Sequence, residues 1–144
     1  MRGWQLAGLC STSVRHNTVV NWMLLGVYFT REKLYKMKKT KSPYCLGCGE
    51  TEKEDLPHIL LQCVHYKSIR EVFIPKFVLM NTRSCDIMYD EQQIILSILD
   101  PISSKLPQSY VNSWSSVKTA YALSRQFCWN MHSKRDKLMS ENLT

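Results

Sequence analysis

Long hydrophobic runs are missing from this chain. The most apolar stretch, Trp22 to Phe29, is about a third of the roughly 20 residues that a spanning helix needs, which excludes a helical membrane protein. Arg2 precedes a few apolar residues, but Gln5 interrupts them and no small-residue cleavage site follows, so 1–13 does not read as a secretory signal. No stretch alternates convincingly between apolar and polar residues, which argues against strands. There is no internal repeat, no low-complexity segment, no glycine-rich phosphate loop, no nucleophile elbow and no His-Glu-x-x-His run. Enzyme readings therefore lack a chemical centre. Acidic residues are also in deficit, 12 against 19 Lys and Arg, for a formal net charge of +7. Such an excess favours a polyanionic partner, either a nucleic acid (RNA or DNA) or an anionic membrane face, and charge alone does not choose between them.

What is present suits a globular chain. At 144 residues, with 44% apolar and 22% charged residues, one domain can bury roughly 68–70% of its extended surface. Helical spacing dominates and predicts an all-α fold. Val19, Val20, Met23, Leu24 and Val27 repeat at helix-compatible steps, with Gly26 near the end. Thr30 is placed to cap a short helix from Arg31 to about Lys38, with Leu34 and Met37 inward and the lysines outward. Asp55 and Pro57 open another short helix. A further one runs through Ile69, Val72 and Phe73 to a stop at Pro75. Asp90 is placed to cap a helix carrying Ile94, Ile95, Ile98 and Leu99. The longest element, from about Ser109 to Leu138, repeats Val111, Trp114, Val117, Tyr121, Cys128 and Met131 at three- and four-residue steps, the mark of one buried stripe. The organisation is a helical lead-in with a basic helix (1–41), a central module (42–75) and a helical extension (76–144), forming one folded unit.

Six cysteines would allow three disulfides. Metal-ligand spacing accounts for three of them instead. Cys45-Leu46-Gly47-Cys48-Gly49 is a compact hairpin in which backbone amides turn toward two thiolates, with glycines at the unusual dihedrals. His58 follows Cys48 after nine residues, and Cys63 follows His58 after four. Three sulfurs and one imidazole form a tetrahedral zinc set, and a closed four-ligand shell leaves no position for a catalytic water. One structural Zn²⁺ is the expected cofactor. His65 is a rival ligand, less favoured because His58 and Cys63 bracket a single short helix. A redox reading of Cys-x-x-Cys would want a strand before the motif, where a lysine-rich helix and a proline stand. Cys10, Cys85 and Cys128 stand alone, which fits a reduced, intracellular protein, nuclear or cytoplasmic.

The run Ser42-Pro43-Tyr44-Cys45-Leu46-Gly47-Cys48-Gly49-Glu50-Thr51, followed by Pro57-His58-Ile59-Leu60-Leu61-Gln62-Cys63, resembles the zinc-binding segment near the C-terminus of non-LTR retrotransposon reverse transcriptases. Leu25-Gly26-Val27-Tyr28 with Arg31, Leu34 and Met37 is similar to that family's lead-in helices, and 66–71 to the helix that follows. The likeness covers about Leu24 to Phe73. It implies Cys45, Cys48, His58 and Cys63 as ligands, in a module that helps an element-encoded protein hold its RNA or DNA. At this length the chain has no room for the family's polymerase, and it shows no aromatic-x-Asp-Asp pair.

Arg31, Lys33, Lys36, Lys38, Lys39 and Lys41 form the densest basic run and are the candidate phosphate contacts. The same residues would equally serve as a solvated helix face or a nuclear-import signal. Arg125, Lys134, Arg135 and Lys137 form a second basic group, expected to be solvated. Trp22 and Trp114 are expected in the core, with Trp4 and Trp129 as further aromatic candidates. His16 and His132 read as surface or cap residues. Together these features predict a non-catalytic, zinc-dependent nucleic-acid-binding domain. The alternative is a zinc-braced protein-interaction or scaffold module.

Overall fold

Apolar residues at helical spacing do form helices. A computed structural model describes residues 14–81, 91–100 and 114–142. Helices α1 (Val14–Leu24), α2 (Arg31–Lys36), α3 (Lys67–Asn81), α4 (Glu91–Leu99) and α5 (Trp114–Glu141) account for most of them. A π-helical turn (His58–Gln62) and a 3-10 turn (Val64–Tyr66) lie between α2 and α3. The only extended pairing among the described residues is a single antiparallel bridge between Tyr44 and Lys53. The fold is all-α, with a long C-terminal helix as its spine.

Helix α5 packs along α1 and also touches α3 and α4. Its buried residues, Ala120, Tyr121, Ser124, Arg125, Phe127, Cys128, Met131 and Arg135, follow the three- and four-residue steps of one face. Val19, Val20 and Met23 are the buried stripe of α1, and Ile98 and Leu99 that of α4. Phe73 of α3 meets Phe127 of α5 with ring centroids 5.5 Å apart. Val111 lies outside the described residues, as do Trp4, Cys10, Cys85, Asp90 and the side chains of Trp114 and Val117.

The chain turns where its residues permit. Gly26, at φ +71°, ends α1. The Val27 amide donates to the Trp22 carbonyl (3.0 Å) and the Gly26 amide to that of Met23 (3.3 Å), the two bonds of a Schellman cap. The Thr30 hydroxyl then accepts from the Lys33 amide and caps α2.

Five expectations need correction. Helix α3 continues through Pro75 instead of stopping there. Pro75 and Glu71, whose carbonyl loses its amide partner, are both exposed residues, where the missing bond costs less than it would in the core. Val72, expected inward, is exposed, because the buried stripe runs Tyr66, Ile69, Phe73. Trp22 is 43% exposed, since it lies about 100° around α1 from Met23. Met37 is exposed because α2 ends at Lys36, and Val27 because it follows the Gly26 turn. The fifth concerns Arg125 and Arg135, expected in solvent and found buried, at 0% and 7% exposure. Arg125 Nε donates to Asn17 Oδ1 (3.0 Å), and its guanidinium lies over the Tyr121 ring. Lys134 is half-buried and Lys137 exposed.

Candidate metal centre

Cys45 and Cys48 sit on a hairpin closed by backbone bonds. The Cys45 amide donates to the Glu52 carbonyl (2.7 Å) and the Glu50 amide to the Cys45 carbonyl (2.8 Å). Gly49 (φ +69°) and Glu50 (φ +61°) are both left-handed, which brings the chain back sharply after Cys48. Gly47 is needed for a different reason. A Cβ there would lie 2.6 Å from His65 Cβ and 3.2 Å from Cys63 Sγ, so the hairpin closes over the second ligand pair only without a side chain. Gly47→Ala is therefore expected to cost about 1–3 kcal/mol through overpacking. A chelator-competition titration, in which the variant gives up its metal at lower chelator concentration, would check this.

The second pair comes from the π-helical turn. Asp55 Oδ1 accepts from the His58 amide (2.8 Å), which is the expected cap. The Cys63 amide donates to the His58 carbonyl (2.7 Å), five residues back, so one π-type bond joins the two ligand residues. Arg70 of α3 donates to the carbonyls of Cys63 and Ile59, fastening the turn to the helix that follows.

All four ligand atoms of Cys45, Cys48, His58 and Cys63 lie within 4.8 Å of one another. Cys45 Sγ is 3.6 Å from Cys63 Sγ, and Cys48 Sγ is 3.6 Å from His58 Nε2. A tetrahedron with metal–sulfur bonds near 2.3 Å and metal–nitrogen bonds near 2.0 Å has edges of about 3.4–3.8 Å, so the residues fit an ion. Cys45, His58 and Cys63 are buried and Cys48 half-buried. Burial, then the neighbouring Cys63, pushes the Cys45 thiol up to about 12, and a bound cation would favour its thiolate. Burial also acts on Cys48, but hydrogen bonds from Thr51, from the Glu52 and Thr51 amides and from His58 more than offset it, bringing that thiol down to about 7. The rival His65 lies outside the group, its ring edge-on to Tyr66.

The basic run is held against this hairpin. The Arg31 amide donates to Glu54 Oε1 (2.8 Å) and Arg31 Nε to the Tyr44 carbonyl (2.6 Å). Lys33, Lys36, Lys38, Lys39 and Lys41 are all exposed, with Lys36 3.3 Å from Glu32 in a surface pair. Arg31 is thus a brace as much as a free cation.

Glu54 and Arg135 are the residues that sequence reasoning missed. Arg135 donates through Nη2 (2.7 Å) and Nε (3.1 Å) to Glu54 Oε1, and through Nη2 to the Phe29 carbonyl (2.8 Å). Burial opposes its charge, but Glu54 more than compensates and holds the guanidinium above its ordinary value. The pair joins the spine helix to the metal loop across 81 residues of sequence. Arg135 falls four residues beyond Met131 on the buried stripe, and that phase was the one available signal.

Fold and site define a class: a small all-α protein organised around a three-cysteine, one-histidine group that can hold a metal ion. Compared with protein-family models, with curated proteins and with solved structures, the chain matches none. No helix among the described residues is long and apolar enough to cross a membrane.

Proposed function

We propose that this is a non-catalytic, intracellular nucleic-acid-binding domain whose fold is fixed by one structural Zn²⁺ on Cys45, Cys48, His58 and Cys63. Three thiolates and an imidazole suit zinc among the available divalent ions, and the filled shell offers no site for a substrate. The observation that carries the nucleic-acid reading is the lysine face after Arg31, exposed and tied to the metal hairpin through Tyr44 and Glu54. Zinc would then hold an array of cations at fixed spacing toward phosphates. The resemblance to the retroelement zinc segment points the same way. Exposed Leu25 and Val27 favour the second reading, a protein-interaction module.

Salt dependence separates the two. Four or five phosphate contacts give a slope of log K against log salt of about −3 to −4 on single strands. Replacing Lys36, Lys38 and Lys39 together by Gln is expected to flatten that slope by about two units and leave zinc content unchanged. Fluorescence anisotropy with a labelled oligonucleotide over a salt series measures the slope, and metal analysis measures the zinc content. Absence of binding at low salt, or equal binding by the triple variant, rejects the nucleic-acid reading.

A further inference from the structure

Between the end of α1 and the last third of α5 lies a cavity of about 370 Å³, lined by Trp22, Val27, Tyr28, Phe29, His132 and Arg135. That volume is in the range of sites for small organic groups, roughly 300–1,000 Å³. Its rim is aromatic and open to solvent, with Trp22 43% and Phe29 55% exposed. Its floor is fixed. The Tyr28 hydroxyl and His132 Nδ1 share a hydrogen bond of 2.8 Å, and the His132 ring lies edge-on to Trp22 and Tyr28 and tilted against Trp129. Arg135, at the edge, is committed to Glu54 and the Phe29 carbonyl. Arg135 also lies over the Tyr28 ring, so the rings left to stack on an occupant are the exposed Trp22 and Phe29, with the cavity's cation already paired, a surface suited to stacking and poor at hydrogen-bonded readout.

We infer that this groove takes an unpaired nucleobase, so that the protein binds single-stranded nucleic acid in preference to duplex and with little regard for sequence. Base insertion presupposes nucleic-acid binding as proposed above. The basic run beside the groove in the chain favours this occupant. Tyr28 is also a wall of a second cavity, about 200 Å³, where Lys33 and Lys36 are matched by Glu32 and Asp55. The exposed lysines of the proposed phosphate face begin at Lys33, four residues after Phe29 of the aromatic rim, and continue through Lys36, Lys38, Lys39 and Lys41, while no carboxylate lines the aromatic cavity itself. A basic track interleaved with aromatic platforms is the general solution for sequence-tolerant single-strand binding. In a duplex the bases are already stacked, and the groove gains nothing.

The test uses the full zinc-loaded chain and anisotropy with a labelled short oligonucleotide, as a single strand and as its duplex. Trp22→Leu combined with Phe29→Leu keeps apolar bulk and removes the π-faces. Trp22→Phe combined with Phe29→Tyr keeps the faces. Zinc content and the helical circular-dichroism signal report that both variants fold, as half-exposed positions allow. Wild type is expected to prefer the single strand. The leucine variant should lose about 5- to 100-fold on the single strand, with the salt slope and duplex binding unchanged and the aromatic variant close to wild type. If wild type binds but the leucine variant binds the single strand equally well, the base-stacking assignment falls alone and the groove suits an apolar protein partner. If wild type binds neither form at low salt, the nucleic-acid reading falls and the groove assignment with it.

Discussion

Chelation of the metal is expected to unfold the centre of the protein, from the hairpin at Cys45 to the turn at Cys63. Structural zinc commonly contributes about 10–16 kcal/mol of apparent binding free energy, against about 5–15 kcal/mol for the whole stability of a domain. Regular secondary structure in this region is slight. It has one isolated bridge and one π-helical turn, and Cys45, His58 and Cys63 are themselves part of its buried interior. Cys45→Ser or His58→Ala should lose the ion and much of the helical signal, because α3 is fastened to the turn through Arg70 and the Cys63 carbonyl. Cys128→Ser and His65→Ala should keep one zinc per chain, as neither belongs to the four-atom group. Metal analysis with circular dichroism decides this: zinc lost from His65→Ala, or full helicity retained after chelation, would overturn the ligand assignment.

The next largest effect is expected at Arg135. Arg135→Met removes the partner of a carboxylate that is 1% exposed, and breaking a buried ion pair from one side costs about 3–5 kcal/mol. Glu54→Gln in the same chain should restore part of the loss, because the amide is neutral and its oxygen still accepts from the Arg31 backbone. Replacing Glu54 by Leu should not, since the Arg31 amide would be left without an acceptor. Urea unfolding of the two single variants and the double gives the coupling directly. A loss below about 1 kcal/mol for Arg135→Met would mean that the pair behaves as a surface bridge. The same variant tests how the basic run is held. Glu54 joins α5, the first turn of α2 and, through its own amide on the Pro43 carbonyl, the strand of the hairpin. If the basic run meets phosphates as proposed, a chain without the pair should bind them less well even while it holds its metal.

Neighbouring residues were enough to place the ligand group and several chain turns. Cys45 to Cys63 spans 19 residues, and the geometry that brings the four side chains together is made by local bonds: the Cys45–Glu52 hairpin, the Asp55 cap and the His58–Cys63 π-type bond. Gly26, Thr30 and Asp55 act where their types predict, since caps and left-handed turns depend on atoms within five residues. Helix content was legible for the same reason. Burial was not. Trp22 and Arg135 have side chains whose own chemistry points the wrong way: an indole half in solvent, a guanidinium almost wholly out of it. Their environments depend on how α1 and α5 pack and on a carboxylate 81 residues away, partners that no local spacing names. Pro75 shows the same limit from the other side, because its helix continues where both Pro75 and Glu71 are exposed. Caps and short turns draw on atoms a few residues away, so their sequence signals are read locally. Which face is covered, and which charge is paired, is settled only once distant elements meet.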